Sequence, residues 1–453
     1  MSIALVALVV SSCSSSGSNT GSAVPSTIAP GSPWVGTLDN ATLPAPVNSL
    51  TGVDCVSALR CWAAGSTLGT AGAPNGAAVV TTVDGGATWT IQPIPSAVGY
   101  LSDISCSDRH YCAAVGQVTQ TSDGQGAIIT TSDGGSTWTA ATVPSTVSDV
   151  TAIDCQADRR CMAIGTVAAG SAALVSSAPG AAWTQLGTLP AGLNGASGIS
   201  CPDSHDCWVT ISQAVDVDHV TGQVALTVDG GSTWSTTATP KTVGYLNDIV
   251  CARGTAGQTG PPSTSTTTSV PGSTTTSVPG STTTTVPGST TTSVPGSTTT
   301  TVPGSTTTSV PGSTTTTPPP PTSTTTTVPA GVSGTWCVAV GTTASTGTGT
   351  RTGHGVILTT TDGGTLWSSQ VVSATSASLM GVSCPAFKTC VAVGSAVGLA
   401  PEAGLSILTG PVGHPWKRAA AVTSPQVLTA VSCLSLSDCV LVGESISQHL
   451  STG

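Results

Sequence analysis

The cysteines are the residues with the most chemistry to offer. The 453-residue chain holds 15 of them. Six pairs are separated by five residues: Cys55/Cys61, Cys106/Cys112, Cys155/Cys161, Cys201/Cys207, Cys384/Cys390 and Cys433/Cys439. A seventh pair, Cys251/Cys337, keeps the same flanks (LNDIVC before, TWCVAVG after) around a long insertion. Thiols at a fixed spacing either ligate zinc or cross-link. Zinc sites gather four ligands, often with histidine, and these evenly spaced pairs have no matching histidines, so the spacing predicts one disulfide per pair and no metal or cofactor. Paired cysteines at this density require an oxidising compartment, which implies export. Cys13 alone is left over.

A second group is cationic. Five of the ten Lys/Arg residues (Arg60, Arg109, Arg159, Arg160 and Lys388) fall in the short loops between paired cysteines, together with His110 and His205. Asp108, Asp158, Asp203, Asp206 and Asp438 share those loops. The cluster reads either as an electrostatic patch or simply as exposed charge collected in turns. Asp216-x-Asp218-His219 is the one run resembling a cation loop, and a solvated loop accounts for it equally well. A formal net charge of −10 excludes nucleic acid as a partner, because phosphate recognition needs a basic stripe.

The elements that position these residues are strands. In Leu101–Trp138 an alternating run ends at Cys106, and Cys112 opens a second short apolar run. A third run leads to the turn Asp133-Gly134-Gly135 and then Trp138. Period-2 runs separated by Gly/Asp/Ser turns indicate half-buried antiparallel strands. Each unit is thus a four-stranded meander of about 50 residues, the period of a propeller blade. Units begin near Leu50, Gly99, Ser148, Asn194, Gly244, Ser378 and Gln426, which predicts an all-β, seven-bladed β-propeller with one disulfide per blade. The first strand of each unit should be innermost. Unit 7 is expected to take three strands from Leu428–Gly453 and to be closed by Trp34–Leu38, because a ring sealed by both chain ends has no open edge.

Four units carry Thr-x-Asp-Gly-Gly-x-x-Trp: Asp84 to Trp89, Asp133 to Trp138, Asp229 to Trp234 and Asp362 to Trp367. This resembles the Asp-box, or BNR, repeat of sialidases and related propellers. The physical reading is a hairpin whose Asp accepts backbone N–H bonds, whose glycines take positive φ and whose Trp packs between sheets. Units 3, 6 and 7 keep Trp183, Trp416 and Trp34 without the Asp, as befits a structural device. The whole unit, with LxxI before the first turn, (A/V)-x-G after it and then ILTTTDGGxxW, is similar to the Ycf48-like photosystem II assembly-factor propellers, apart from the cysteine pairs. The sialidase resemblance implies an arginine triad and a Tyr nucleophile paired with Glu. Against that pattern stand Tyr100, Tyr111, Tyr245, Glu402 and Glu444, and no triad assembles from the arginines.

Export has a signal of its own. Val10-Ser11-Ser12-Cys13 resembles a bacterial lipobox, which implies lipidation of Cys13 and a leader at 1–13, although no Lys or Arg precedes the apolar run. Residues 14–30 read as a polar spacer and 31–453 as the propeller. The segment 252–335, with its VPGSTTT repeats, reads as a disordered, Thr/Ser/Pro-rich insertion of the kind that carries O-glycans. The expected function is a surface-anchored, non-enzymatic, monomeric binding or assembly module for a protein or glycan of the cell envelope. A secreted sialidase-like glycosidase is the alternative. The ligand face is expected at the long loops Gly65–Gly76, Gln117–Gly126, Gln213–Gly222 and Thr342–Gly355, opposite the cysteine loops.

Overall fold

The computed structural model describes residues 6–11, 37–69, 75–118, 124–176, 180–190, 195–214, 220–254, 334–344, 353–372, 376–386, 389–396, 405–413, 415–422, 426–436 and 438–445. Blade 1 shows how the sequence makes a unit. Its strands are Val47–Ser57, Arg60–Thr67, Gly76–Thr82 and Thr90–Ile91, paired antiparallel in chain order. Blades 2 to 6 repeat the four-stranded meander. The first strands are Val98–Cys106, Val147–Cys155, Ala196–Ser200, Val243–Arg253 and Ser376–Ala386.

All seven cysteine pairs are bonded as the spacing predicts. The bonds are Cys55–Cys61, Cys106–Cys112, Cys155–Cys161, Cys201–Cys207, Cys251–Cys337, Cys384–Cys390 and Cys433–Cys439. The members of a pair stand opposite one another, Cα–Cα 3.9–4.1 Å, at the end of the first hairpin. The second cysteine of each pair lies within the first three residues of the second strand, which is covered on both faces by neighbouring blades. Cys112, Cys161, Cys207, Cys337 and Cys390 are consequently closed off from solvent altogether, and Cys61 and Cys439 nearly so. Cys161, Cys207 and Cys390 are core groups packed among Val, Ala and Ile or Trp side chains.

The core lies between blades, and the period of 2 puts it there. Along the second strand of blade 1, Cys61 and Ala63 face blade 7, while Trp62 and Ala64 face blade 2, where they meet Leu101, Ile104, Ile129 and Trp138. Blade 2 turns Ala113, Val115 and Ile128 toward Val147, Val150 and Trp183 of blade 3 in the same way. Small side chains at these positions let neighbouring sheets approach closely, with Trp62 and Trp208 as the largest fully buried groups.

The recurring Gly of the (A/V)-x-G motif has a steric cause. Each first strand bulges beside it, as between Leu101 and Asp103. A Cβ on Gly116 would collide with the carbonyl oxygen of Tyr100, and Gly65 and Gly341 stand in the same relation to Ser49 and Tyr245. The bulge presses one backbone onto the other, and only glycine leaves room.

Each first strand packs against the first strands of both neighbouring blades, and blade 7 returns to blade 1. The seven therefore line the ring axis, as the repeat pattern predicts. Strands from both chain ends close the ring, as expected, but they share the blade differently. Blade 7 takes two strands from the C-terminal region, Gln426–Ser435 and Asp438–Ser445, and two from the N-terminal region, Val6–Ser11 and Thr37–Thr42. Val6–Ser11 lies between Asp438–Ser445 and Thr37–Thr42, so it takes the third-strand position expected of the chain's last residues. The reason is its pattern, an unbroken apolar run of third-strand type. Residues 446–453 and Trp34 lie outside the described residues, as do Cys13, the 14–30 spacer and most of the insertion.

Two pairs beyond the Cys251–Cys337 bond, Ala252 opposite Trp336 and Arg253 opposite Thr335, extend the blade 5 hairpin. Gly254 then donates its N–H to the Gly334 carbonyl at 3.1 Å. The ends of the inserted segment are thereby clamped together.

Candidate functional site

Three regions of the ring hold the residues capable of chemistry: the cysteine-loop end, the axis and the opposite end. At the first, the Asp-box turns dock on the cysteine loops of their own blades. The N–H groups of Gly85, Gly134 and Gly230 donate to the carbonyls of Leu59, His110 and His205 at 3.0, 2.9 and 2.9 Å. Within a turn, the Asp133 carboxylate accepts from the Thr137 N–H (2.9 Å) and from its hydroxyl (2.7 Å). Thr131 donates its hydroxyl to the same carboxylate and accepts the Gly135 N–H. Gly134 and Gly135 sit at φ 76° and 92°. Those hydrogen bonds, the Thr137 hydroxyl foremost, hold the Asp133 pKa down at about 2. Asp84 and Asp229 are held by the corresponding contacts, whereas Asp362, with Leu366 in place of the threonine, accepts the Leu366 N–H and the Thr360 hydroxyl. Every Asp-box carboxylate is thus occupied by its own turn. The motif tryptophans Trp89, Trp138 and Trp367 are buried between sheets, and Trp234 is partly buried, donating its indole N–H to the Gly231 carbonyl at 3.1 Å.

The cations at this end mostly join blades. Arg60 donates to the Gly134 carbonyl of blade 2 at 3.2 Å and lies 5.0 Å over the Trp62 ring. Arg159, at φ 65°, makes an ion pair with Asp108 of the preceding blade at 2.7 Å. Arg160 stands in blade 3 where Arg60 stands in blade 1, and its guanidinium approaches the Gly230 turn of blade 4. Arg253 bridges to Asp203 and Asp206. Arg109 is exposed, and Lys388 lies outside the described residues.

The axis holds what the sequence reading missed. The residue before the first cysteine of a blade accepts the N–H of the first cysteine of the next. Asp54 takes Cys106 (2.8 Å), Ser105 takes Cys155 (3.0 Å), Asp154 takes Cys201 (2.6 Å) and Ser200 takes Cys251 (3.0 Å). Ser383 then takes Cys433 (3.0 Å), and Ser432 takes Cys55 (3.1 Å), which completes the circuit. Between blades 5 and 6 the position is Val250, and Asp248, two residues earlier on the same strand face, accepts from the Val382 N–H at 2.9 Å instead. Asp103 adds a bond of that second kind, to the Ile153 N–H at 3.0 Å. A belt of short polar acceptors therefore links all seven blades. The signal was visible as Asp or Ser before the first cysteine in every unit except the fifth.

Four belt members are carboxylic acids facing one another around the axis. Each keeps part of its surface accessible, yet is ringed by protein on all sides. Burial raises their pKa values against the opposing effect of the N–H bonds: to about 6 for Asp54 and Asp248, about 7 for Asp154 and about 8 for Asp103. Asp54 and Asp248 push up both Asp103 and Asp154 by like-charge repulsion. No group of three or more metal-ligating side chains comes together among the described residues.

At the opposite end, an open cleft of about 360 Å³ lies beside blade 4, lined by Thr221, Gln223, Thr236, Thr239 and Lys241. Parts of the variable loops, including Asp216, Asp218 and His219, lie outside the described residues. Tyr100 donates its hydroxyl to Asp149 of blade 3 at 2.8 Å, and burial with that carboxylate drives its pKa upward. Tyr111 is buried, Tyr245 is partly exposed, and Glu444 pairs through its backbone with Ser49 of blade 1. Glu402 lies outside the described residues.

Disulfide-closed hairpins, Asp-box turns and an axial ring of first strands define an Asp-box β-propeller. In fold it resembles Ycf48. Two solved structures similar to it are YCF48 bound to D1 peptide (10% identity, 89% of this chain and 91% of that one, TM-score 0.48) and YCF48 from Cyanidioschyzon merolae (13%, 89% and 95%, TM-score 0.48). A GH74 xyloglucanase from Xanthomonas campestris is also similar (11%, 83% of this chain and 48% of that one, TM-score 0.43). A Hadza microbial sialidase is similar as well (10%, 76% and 62%, TM-score 0.41). No protein-family model and no curated protein matches the sequence.

Proposed function

We propose that this propeller is an extracytoplasmic, non-enzymatic binding module that presents a specific ligand surface at the variable-loop end of the ring. One observation carries the reading: the groups that chemistry would need are already engaged in holding the fold. The Asp-box carboxylates are spent on their own turns, and Arg60 and Arg159 reach across blade interfaces. Tyr100 likewise spans a blade interface, its hydroxyl donated to Asp149 of blade 3. Seven disulfides support folding outside a reducing cytoplasm. The envelope attachment fits a lipid on Cys13, and the partner class is an envelope protein or glycan.

The axial acids favour a second reading. Carboxylic acids with raised pKa values, about 8 at Asp103 and about 7 at Asp154, suit general acid work in a glycosidase. A glycan array run beside a fluorogenic glycosidase panel separates the two readings. The binding module gives array signal without turnover. Turnover that is lost in Asp103→Asn or Asp154→Asn replaces it with the enzyme.

A further inference from the structure

The segment Val6–Ser11 answers to two descriptions, part of a leader ending before Cys13 and a strand of the ring. Its register shows what kind of strand it is. Leu8 stands opposite Leu441, Val9 opposite Val440 and Val10 opposite Cys439 on one side. On the other, the ladder runs from Val6 opposite Thr42 to Ser11 opposite Thr37. In blade 3, Val175 stands opposite Met162, the residue after the second cysteine, as Val9 stands opposite Val440. Aligned this way, Ala7-Leu8-Val9 matches Ala173-Leu174-Val175 residue for residue. The likeness resumes at 29–34, where Ala-Pro-Gly-Ser-Pro-Trp parallels Ala-Pro-Gly-Ala-Ala-Trp at 178–183. By sequence and by pairing, residues 6–11 form a blade third strand.

Among the described residues, the strand is also the only pairing partner of Thr37–Thr42, and it covers the ladder edge of Asp438–Ser445. Unlike the short Asp-box turns elsewhere, the connection between third and fourth strands here is the long segment 12–36, which contains Cys13. A break in that connection cuts no described pairing.

We propose that the gap between Asp438–Ser445 and Thr37–Thr42 is a strand-accepting site whose cognate occupant is Val6–Ser11. Scission of the connection before Cys13 converts this intramolecular contact into a binding site for an extended apolar peptide. Recognition is by main-chain hydrogen bonds on both sides of the peptide, as in other cases of strand addition. An unoccupied gap leaves an open ladder edge on blade 7. The state of the connection therefore determines whether the closing strand is fixed by its own chain or can exchange for a peptide of the same kind. The inference stands apart from the proposed ligand surface, which is at the loops.

The test uses the full chain with a protease recognition sequence placed within residues 14–30 and cut after folding. Gel filtration with mass spectrometry should find the amino-terminal fragment still bound to the ring. On incubation near the thermal midpoint with a large excess of peptide, Met1–Ser12 should exchange for the bound fragment. The same peptide with Val9→Pro should not, because proline interrupts a ladder paired on both sides. A fragment released by cutting alone overturns the proposal, as does a Val9→Pro peptide that exchanges equally well or a Met1–Ser12 peptide that fails to exchange.

Discussion

The axial acids make the ring more stable in mild acid than at neutral pH, opposite to the behaviour of a protein held by surface ion pairs. The perturbation is a pH change from 8 to 5. An acid whose folded pKa is raised takes up protons more readily when folded. Its contribution is complete below the unfolded value of 3.8 and is lost as pH rises through the folded value. For Asp54 that span is 3.8 to about 6. Between pH 8 and 5 only the part from about 6 down to 5 is gained. At about 1.4 kcal/mol per pKa unit, this sets a ceiling of about 1.4 kcal/mol for Asp54, and a higher one for Asp103 and Asp154, whose folded values are higher. Partial exposure toward the axis screens the charge, which leaves about 1 kcal/mol per carboxyl. Four coupled acids then give about 4 kcal/mol, spread over a broad range because each proton bound changes the next. With about 2 °C per kcal/mol for a large domain, the melting midpoint should rise by about 8 °C. The depressed Asp84 and Asp133 stay ionised throughout this interval and do not mask the trend. Differential scanning calorimetry without reductant measures it, with Asp103→Asn as the control. The amide keeps one acceptor oxygen and removes the charge, so it should raise the midpoint at pH 8 and flatten the slope. A midpoint that is level or falls from pH 8 to 5, or a slope unchanged in Asp103→Asn, refutes the reasoning.

Gly116→Ala drives a methyl into the Tyr100 carbonyl and should destabilise by about 2–3 kcal/mol, read as a lower urea midpoint. Asp133→Ala removes the acceptor of one Asp-box turn and should lower stability by about 1 kcal/mol, with no effect on any binding measured at the opposite end. Joint replacement of Cys106 and Cys112 by Ala opens a small loop and should reduce stability by about 2–3 kcal/mol, seen as a lower melting midpoint under non-reducing conditions. An unchanged midpoint would contradict the role assigned to that cross-link.

Much of the ring was legible because its rules are local. Cys106 and Cys112 lie close in sequence and close the hairpin they flank, and Asp133 bonds a threonine four residues on. The axial belt is not local. Asp54 meets Cys106, 52 positions further along the chain, only once two blades have folded, and its meaning depends on which strand face points to the axis. The substitution of Val250 and the takeover by Asp248 hide the rule further, since the acceptor moves two residues while staying on the same face. The cysteines were paired correctly from spacing, but the burial of Cys161, Cys207 and Cys390 depends on the neighbouring blade and could not be read from the hairpin alone. Which chain end supplies the third strand of the closing blade was misread for another reason. An apolar run before a cysteine satisfies a leader and a buried third strand equally, and only comparison with Ala173-Leu174-Val175 in register tells them apart.

The clamp at the root of the inserted segment has a mechanical meaning. Chain leaves and re-enters blade 5 through adjacent residues, bound to each other at Gly254 and Gly334 and cross-linked three residues inward by Cys251–Cys337. A tension that separates those two ends first opens the Gly254–Gly334 bond and the two outer pairs, and is then stopped by the Cys251–Cys337 cross-link. The rest of the blade 5 hairpin lies behind that bond. Load on the inserted segment can therefore fray its root without unzipping the blade that anchors it.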